Sequence, residues 1–167
     1  MSIRRPLILV WVVLLAVLAW LAYAALQPPR PEVLRGVGVR AVDGDTLVVR
    51  LDGGHQERVR VIGVDTPEDV DPRRPVQCYS RRAAAFTART VEGRRVALTV
   101  GRESRDRYGR LLAYVYLRGK FVNAALVELG YARTMSIPPN TAHAGELASL
   151  ERRAALDGRG LWGACST

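Results

Sequence analysis

A chain of 167 residues has room for one domain and a short appendage. Its 25 basic and 16 acidic residues give a formal charge of +9, and Lys120 is the single lysine, so the positive charge is almost all arginine. Two cysteines, Cys78 and Cys165, and two histidines, His55 and His143, stand far apart, which excludes a zinc site of the usual ligand spacing.

The first five residues carry Arg4 and Arg5. Leu7 to Leu26 is then uncharged and almost wholly apolar, matching the roughly 20 residues that cross a bilayer. Arginines on the short N-terminal side predict that end inside and the rest of the chain outside. The expected organisation is a cytoplasmic N-terminus at 1–6, a transmembrane signal anchor at 7–26, a proline-rich linker at 27–32 and a folded domain at 33–167. A cleaved signal peptide competes with the anchor, because Ala22-Tyr23-Ala24 resembles a small-x-small cleavage site that would release the domain near Ala25. Without Arg4 and Arg5 the remaining 23 basic and 16 acidic residues still give +7, so the basic character belongs to the domain. Such a surface suits a nucleic acid or an anionic membrane, with a genome-wide arginine bias as the bland alternative.

Val37, Val39 and Ala41 alternate as in a strand, Leu47 to Leu51 reads as a second, and Arg58 to Val64 as a third after the turn signal Asp52-Gly53-Gly54. Asp65 to Gln77 holds three prolines and is expected to be a loop. Ser80 is placed to cap a helix over Arg81 to Val91 ended by Gly93. Arg95 to Val100 and Leu111 to Tyr116 are the fourth and fifth strands, flanking a charged loop at Gly101 to Arg110. Asn123 to Leu129 and Thr141 to Leu156 are helices, separated by a proline-bearing loop at Met135 to Asn140. His55 and His143 are expected in solvent. The fold class is α+β, mainly β: a five-stranded Greek-key OB-fold barrel with three helices, preceded by the N-terminal membrane helix.

Two stretches carry chemistry. Val42-Asp43-Gly44-Asp45-Thr46 places Asp43 and Asp45 two apart, on one side of an extended segment. Arg60 opens a second stretch that ends Asp65-Thr66-Pro67-Glu68. Clustered carboxylates repel one another unless a cation or proton relieves them. Oxygen ligands of this kind suit a hard cation such as calcium, and a carboxylate left over can act as a base. Each motif alone is also an ordinary turn or helix start.

Together with Asp106-Arg107-Tyr108-Gly109-Arg110-Leu111 and Gly160-Leu161-Trp162, these motifs occur in the order found in staphylococcal nucleases. The stretch from about Val33 to Trp162 resembles that family. The resemblance implies an OB barrel that cuts DNA and RNA with calcium and leaves 3′-phosphates. It implies Asp45, Asp65 and the Thr66 carbonyl as calcium ligands, with Asp43 behind them, and Glu68 as general base. Arg60 and Arg110 match the arginines that grip the scissile phosphate, and Arg107 and Tyr108 lie at the nucleotide. The segment Thr134-Met135-Ser136-Ile137-Pro138-Pro139 departs from the family pattern, which places base-stacking tyrosines there.

An exported domain would allow Cys78 and Cys165 to pair, with two free thiols as the alternative. The expected partners are nucleic acid and, through residues 7–26, a membrane, with no obligate protein partner. The rival function is a non-catalytic OB module that binds nucleic acid or protein at the membrane.

Overall fold

The computed structural model of the protein describes residues 4–26, 31–68 and 76–165. Residues 1–3 of the expected cytoplasmic segment, 27–30 of the expected linker and 69–75 of the expected loop lie outside the described residues. The chain forms two compact units, Met1–Arg30 and Pro31–Thr167.

The first unit contains the helix α1, Arg4–Leu26. Among the described residues no helix is long and apolar enough to cross a membrane, so the expected transmembrane span at 7–26 is not supported. The side chains described there run from residue 10 to residue 24.

In the second unit the elements follow as β1 (Val33–Ala41), β2 (Thr46–Leu51), β3 (Gln56–Val61), β4 (Gly63–Asp65), α2 (Ser80–Val91), β5 (Arg95–Arg105), β6 (Leu111–Leu117), β7 (Lys120–Phe121), α3 (Val122–Glu128), β8 (Arg133–Met135), α4 (Ala144–Leu156) and α5 (Leu161–Ala164). Antiparallel pairings join β3 to β2, β2 to β1, β1 to β5 and β5 to β6. The parallel pairing of β3 with β6 closes the ring. The result is a five-stranded closed barrel of OB type.

Alternation builds its interior. Leu47, Val49 and Leu51 point inward from β2, Val59 and Val61 from β3, Val96, Leu98 and Val100 from β5, and Ala113 and Val115 from β6. Leu126, Val127, Leu147 and Leu150 from α3 and α4 extend this core.

Several boundaries differ from expectation, each for a physical reason. The third strand does not run unbroken from Arg58 to Val64. It breaks at Ile62, and Gly63 takes φ 81 so that β4 can turn away and pair with β8. Asn123, fully buried, holds the break: its Nδ2 donates to the Ile62 carbonyl at 2.7 Å, and its Oδ1 accepts from the Val115 N–H at 2.9 Å. Ser80 is the first helical residue rather than the cap; Tyr79, at φ 72, precedes it, and the Ser80 hydroxyl is buried without a partner among the described residues. The fourth strand extends past Val100 to Arg105, because its charged end still pairs with the start of β6 at Leu111. Four helices, α2 to α5, are described in this unit against the three expected. His143 is half-buried instead of exposed, with its ring 4.7 Å from Tyr114 and 4.5 Å from Phe121.

Candidate active site

One end of the barrel gathers the charged residues. The β1–β2 turn brings Asp43 and Asp45, the end of β3 brings Arg60, and β4 delivers Asp65, Thr66, Pro67 and Glu68. The turn before β6 adds Arg110. Together they line a polar cavity of about 180 Å³.

Backbone constraints fix the turn. Asp43 accepts the Asp45 N–H on Oδ1 at 2.9 Å, an Asx turn that leaves the strand free to start at Thr46. Thr87 of α2 donates to the Gly44 carbonyl at 2.6 Å. A Cβ at Gly44 would stand 2.6 Å from Thr66 Cγ2, so glycine is what lets the turn lie against Thr66. Asp45 is 6% exposed. Its Oδ2 accepts the Thr66 N–H at 2.9 Å and the Thr66 hydroxyl at 3.1 Å, tying the β1–β2 turn to the segment after β4.

Arg60 is 9% exposed and almost fully engaged. Its Nη1 donates to the carbonyls of Val61 at 3.0 Å and Val64 at 2.8 Å, and lies 3.2 Å from Asp45 Oδ2. Its Nη2 donates to Asp65 Oδ1 at 3.3 Å. One guanidinium therefore sits between two of the three aspartates and aligns the chain that carries them. The negative charge is not fully offset. Burial, reinforced by the Asp45 charge, pushes the Asp43 carboxyl from its ordinary 3.8 up to about 6. Burial and the same neighbour also push Asp65 up, against the pull of Arg60.

Arg110 is held from below. Its Nε donates to Asp106 Oδ2 at 2.7 Å, while Asp106 Oδ1 accepts the N–H groups of Tyr108 and Arg110 at 2.9 and 3.0 Å. Burial raises Asp106, but these hydrogen bonds outweigh it and hold the carboxyl below its ordinary value. Arg110 Nη1 then reaches Thr46 Oγ1 at 3.3 Å.

A second cavity of about 360 Å³ adjoins the first and shares Arg60 and Arg110 with it. Arg107, Tyr108, Met135, Ile137 and Asn140 line it. Tyr108 is 68% exposed, with the guanidinium groups of Arg107 and Arg110 at 4.7 and 5.4 Å from its ring centre. Tyr131 is committed elsewhere: it stacks on Phe86 at 4.4 Å and cannot serve this cavity without unpacking.

Three positioning residues escaped the sequence reading. Gln77 clasps the backbone of Glu68 from both sides: its Oε1 accepts the Glu68 N–H at 2.9 Å, and its own N–H donates to the Glu68 carbonyl at 3.0 Å. Nothing in a lone glutamine signals this. Asp106 stands in the motif quoted from the sequence but its role was not read there, although an Asp four residues before an Arg across a Gly-containing turn can reach that Arg. Asn140 bonds both backbone groups of Glu103, through Oδ1 at 3.1 Å and Nδ2 at 2.9 Å, fixing the loop after β8 over the second cavity. Cys78 and Cys165 are joined by a disulfide that ties the start of α2 to the end of α5.

Among the described residues no three Asp, Glu, His or Cys side chains converge closely enough to hold a metal ion, since Asp45 is turned onto Arg60 and Thr66. The donors gathered there are nonetheless all oxygen, as a hard cation requires.

An OB barrel that aims two arginines and four carboxylates into one small polar cavity has the layout of an enzyme acting on phosphate esters. The comparisons with known proteins give the family. The family model described as "Staphylococcal nuclease homologue" matches residues 58–164. Thermonuclease of Staphylococcus intermedius is 42% identical over 123 residues, which cover 74% of this chain and 73% of that protein. Thermonuclease of Staphylococcus hyicus is 39% identical over 124 residues, covering 74% and 73%. Endonuclease YncB of Bacillus subtilis (strain 168) is 38% identical over 125 residues, covering 74% and 59%. The chain belongs to the staphylococcal nuclease family and is a nuclease, a hydrolase.

Proposed function

We propose that the protein is a calcium-dependent nuclease that hydrolyses DNA, RNA or both. The observation that carries this reading is the single cavity in which Asp43, Asp45, Asp65, Glu68, Arg60 and Arg110 meet. Asp45, Asp65 and the carbonyl of Thr66 would hold the ion, with Asp43 behind them. When bound, calcium supplies positive charge that offsets the phosphate's own.

The chain's own groups do the rest. A phosphodiester repels nucleophiles because it is anionic, and Arg60 and Arg110 meet its non-bridging oxygens with planar, fork-shaped donors. Arg60 must exchange part of its bonding to Asp45 and Asp65 for the phosphate. Arg110 is already oriented by Asp106 and needs no such exchange. Glu68, its backbone fixed by Gln77, takes a proton from an attacking water or orients that water. A bond from phosphorus to the water oxygen then replaces its bond to the 5′ oxygen. That oxygen leaves as a hydroxyl after taking a proton from solvent. Arg107 and Tyr108 border the flanking nucleotide in the second cavity.

The domain is proposed to work outside the cytoplasm, tethered through residues 7–26 or freed by cleavage near Ala25. The Cys78–Cys165 bond suits an oxidising compartment. Cell fractionation with N-terminal sequencing of the mature protein separates tether from release, and a cytoplasmic mature protein sinks both.

The test of activity is incubation of the full-length protein with single-stranded DNA and RNA in calcium, then in excess chelator. Cleavage that the chelator abolishes and added calcium restores supports the reading. Cleavage indifferent to chelator refutes the calcium dependence, and no cleavage of either polymer refutes the assignment.

A further inference from the structure

The outer face of β1, β2 and β3 carries a row of cations that leads away from the site. On β3, Arg58 lies two residues before Arg60 and points to the same face. On β2, Thr46, Val48 and Arg50 share that face, paired with Arg60, Arg58 and Gln56 of β3. On β1 the pattern needs an extra residue. Leu34, Gly36 and Gly38 face inward, so strict alternation would send Arg40 inward too. The register instead jumps from Gly38↔Val49 to Arg40↔Val48, with Val39 as the inserted residue of a β-bulge. The bulge turns Arg40 to the outer face, where it and Arg58 straddle Val48. Val48 is 6% exposed although it points outward, as expected if the stems of its two arginine neighbours cover it.

Arg40, Arg50 and Arg58 are exposed, and none makes an ion pair among the described residues. The nearby acids are bonded elsewhere: Glu57 faces the other side of β3 and binds Arg105, Asp52 binds Arg95, and Glu92 accepts the N–H of Ala41 beside Arg40. Three cations with no ion pair among the described residues, one of them placed by a bulge, stand side by side where like charges repel, a cost that an anionic ligand would relieve.

We propose that Arg58, Arg40 and Arg50 form a phosphate track that holds the backbone of a single-stranded nucleic acid beyond the scissile phosphate. The proposal rests on the nuclease reading above. Steps of two residues along a strand advance about 6.6 Å. That is close to the separation of successive phosphates in an extended strand, so Arg60 and Arg58 fall in step with them, and Arg50, opposite Gln56 on the neighbouring strand, lies one step further along and one strand across. The track offers no aromatic surface, so it reads backbone charge and not base identity.

The test compares full-length wild type with the triple variant Arg40→Gln, Arg50→Gln, Arg58→Gln, on a dinucleotide and on a 12-nucleotide single strand, across a salt series. A control variant, Arg118→Gln, Arg152→Gln, Arg153→Gln, removes the same charge elsewhere on the domain. Each phosphate contact on a single strand contributes about 0.7 to the slope of log affinity against log salt. The triple variant should therefore lower the slope for the long strand by about 2 and raise its KM about 10²-fold at 0.1 M salt, far more than for the dinucleotide. The lysine triple variant, which keeps the charge, should keep most of the slope. Equal effects on both substrates, or a control variant as impaired as the track variant, would overturn the track. So would a track variant that loses binding to phosphatidylglycerol vesicles while its KM for the long strand matches the control. If wild type cuts neither substrate, the nuclease reading fails and the track falls with it.

Discussion

Asp43→Asn isolates the electrostatic strain of the site. Asp43 is held up at about 6 from an ordinary 3.8, first by burial and then by the Asp45 charge. A raised folded-state pKa means that the native chain holds a proton the unfolded chain has lost between about pH 4 and about pH 6. Stability in chelator should therefore fall as pH rises through that window and stay low at neutral pH. At 1.36 kcal/mol per pH unit the cost is up to about 3 kcal/mol at pH 7. Asparagine keeps the oxygen that accepts the Asp45 N–H and removes the charge. The variant should gain most of that energy at pH 7, roughly 10 °C in thermal midpoint for a domain of this size, and nothing at pH 4. Thermal or urea unfolding in excess chelator from pH 4 to 8 reads both quantities. If Asp43 also supports calcium, the variant should gain less from added calcium than wild type does. A variant no more stable than wild type at pH 7, or one whose advantage persists at pH 4, would show that the Asp43 charge is not what strains the fold.

The other expectations concern catalysis, the disulfide and the base pocket. Glu68→Gln should keep the unfolding midpoint and lower kcat by about 10² or more, and near-normal turnover means that another group handles the water. Replacing both Cys78 and Cys165 by serine opens a bridge across a sequence separation of 87, and chain entropy sets the loss at up to about 4.6 kcal/mol. Urea unfolding reads it, and identical midpoints for the variant and the oxidised wild type would refute it. Ile137→Tyr should lower KM for short single strands by roughly fivefold to 10²-fold with little change in kcat, because Ile137 lines the second cavity and one stacked base is worth about 1–3 kcal/mol. Steady-state cleavage of dinucleotides by the variant and wild type measures this, and an unchanged KM would show that the loop does not meet the base.

The position of that last substitution shows where sequence reading stops. The absence of aromatics from Thr134 to Pro139 is legible in the sequence, and the sequence alone points to Ser136 as the place to restore one. Only the pairing of β4 with β8 and the clasp of Asn140 on Glu103 decide that Met135 and Ile137 line the cavity. The barrel strands were legible because inward and outward positions alternate, and the site residues because each lies at a strand end within a recognisable motif. What was hidden depends on contacts between distant segments. The break at Gly63 is imposed by Leu147 and Asn123, whose sequence neighbourhoods say nothing about β3. Gln77 reaches Glu68 across nine positions that carry no periodic signal.

Arg60 shows why the site's residues cannot be assigned one at a time. Buried and bonded to two carbonyls, it is part of the structure that brings β4 back across the barrel end. Its remaining donors face Asp45 and Asp65, the groups proposed to take a cation. A cation on those carboxylates would weaken their hold on the guanidinium and leave it more able to grip a phosphate. Charge at one position would then prepare the other, through contacts of 3.2 and 3.3 Å. Arg110 is braced by Asp106 and meets the carboxylates only through the Thr46 hydroxyl, which accepts from its Nη1 and donates to Asp45 Oδ1, so its grip on phosphate should depend less on whether the carboxylates are occupied.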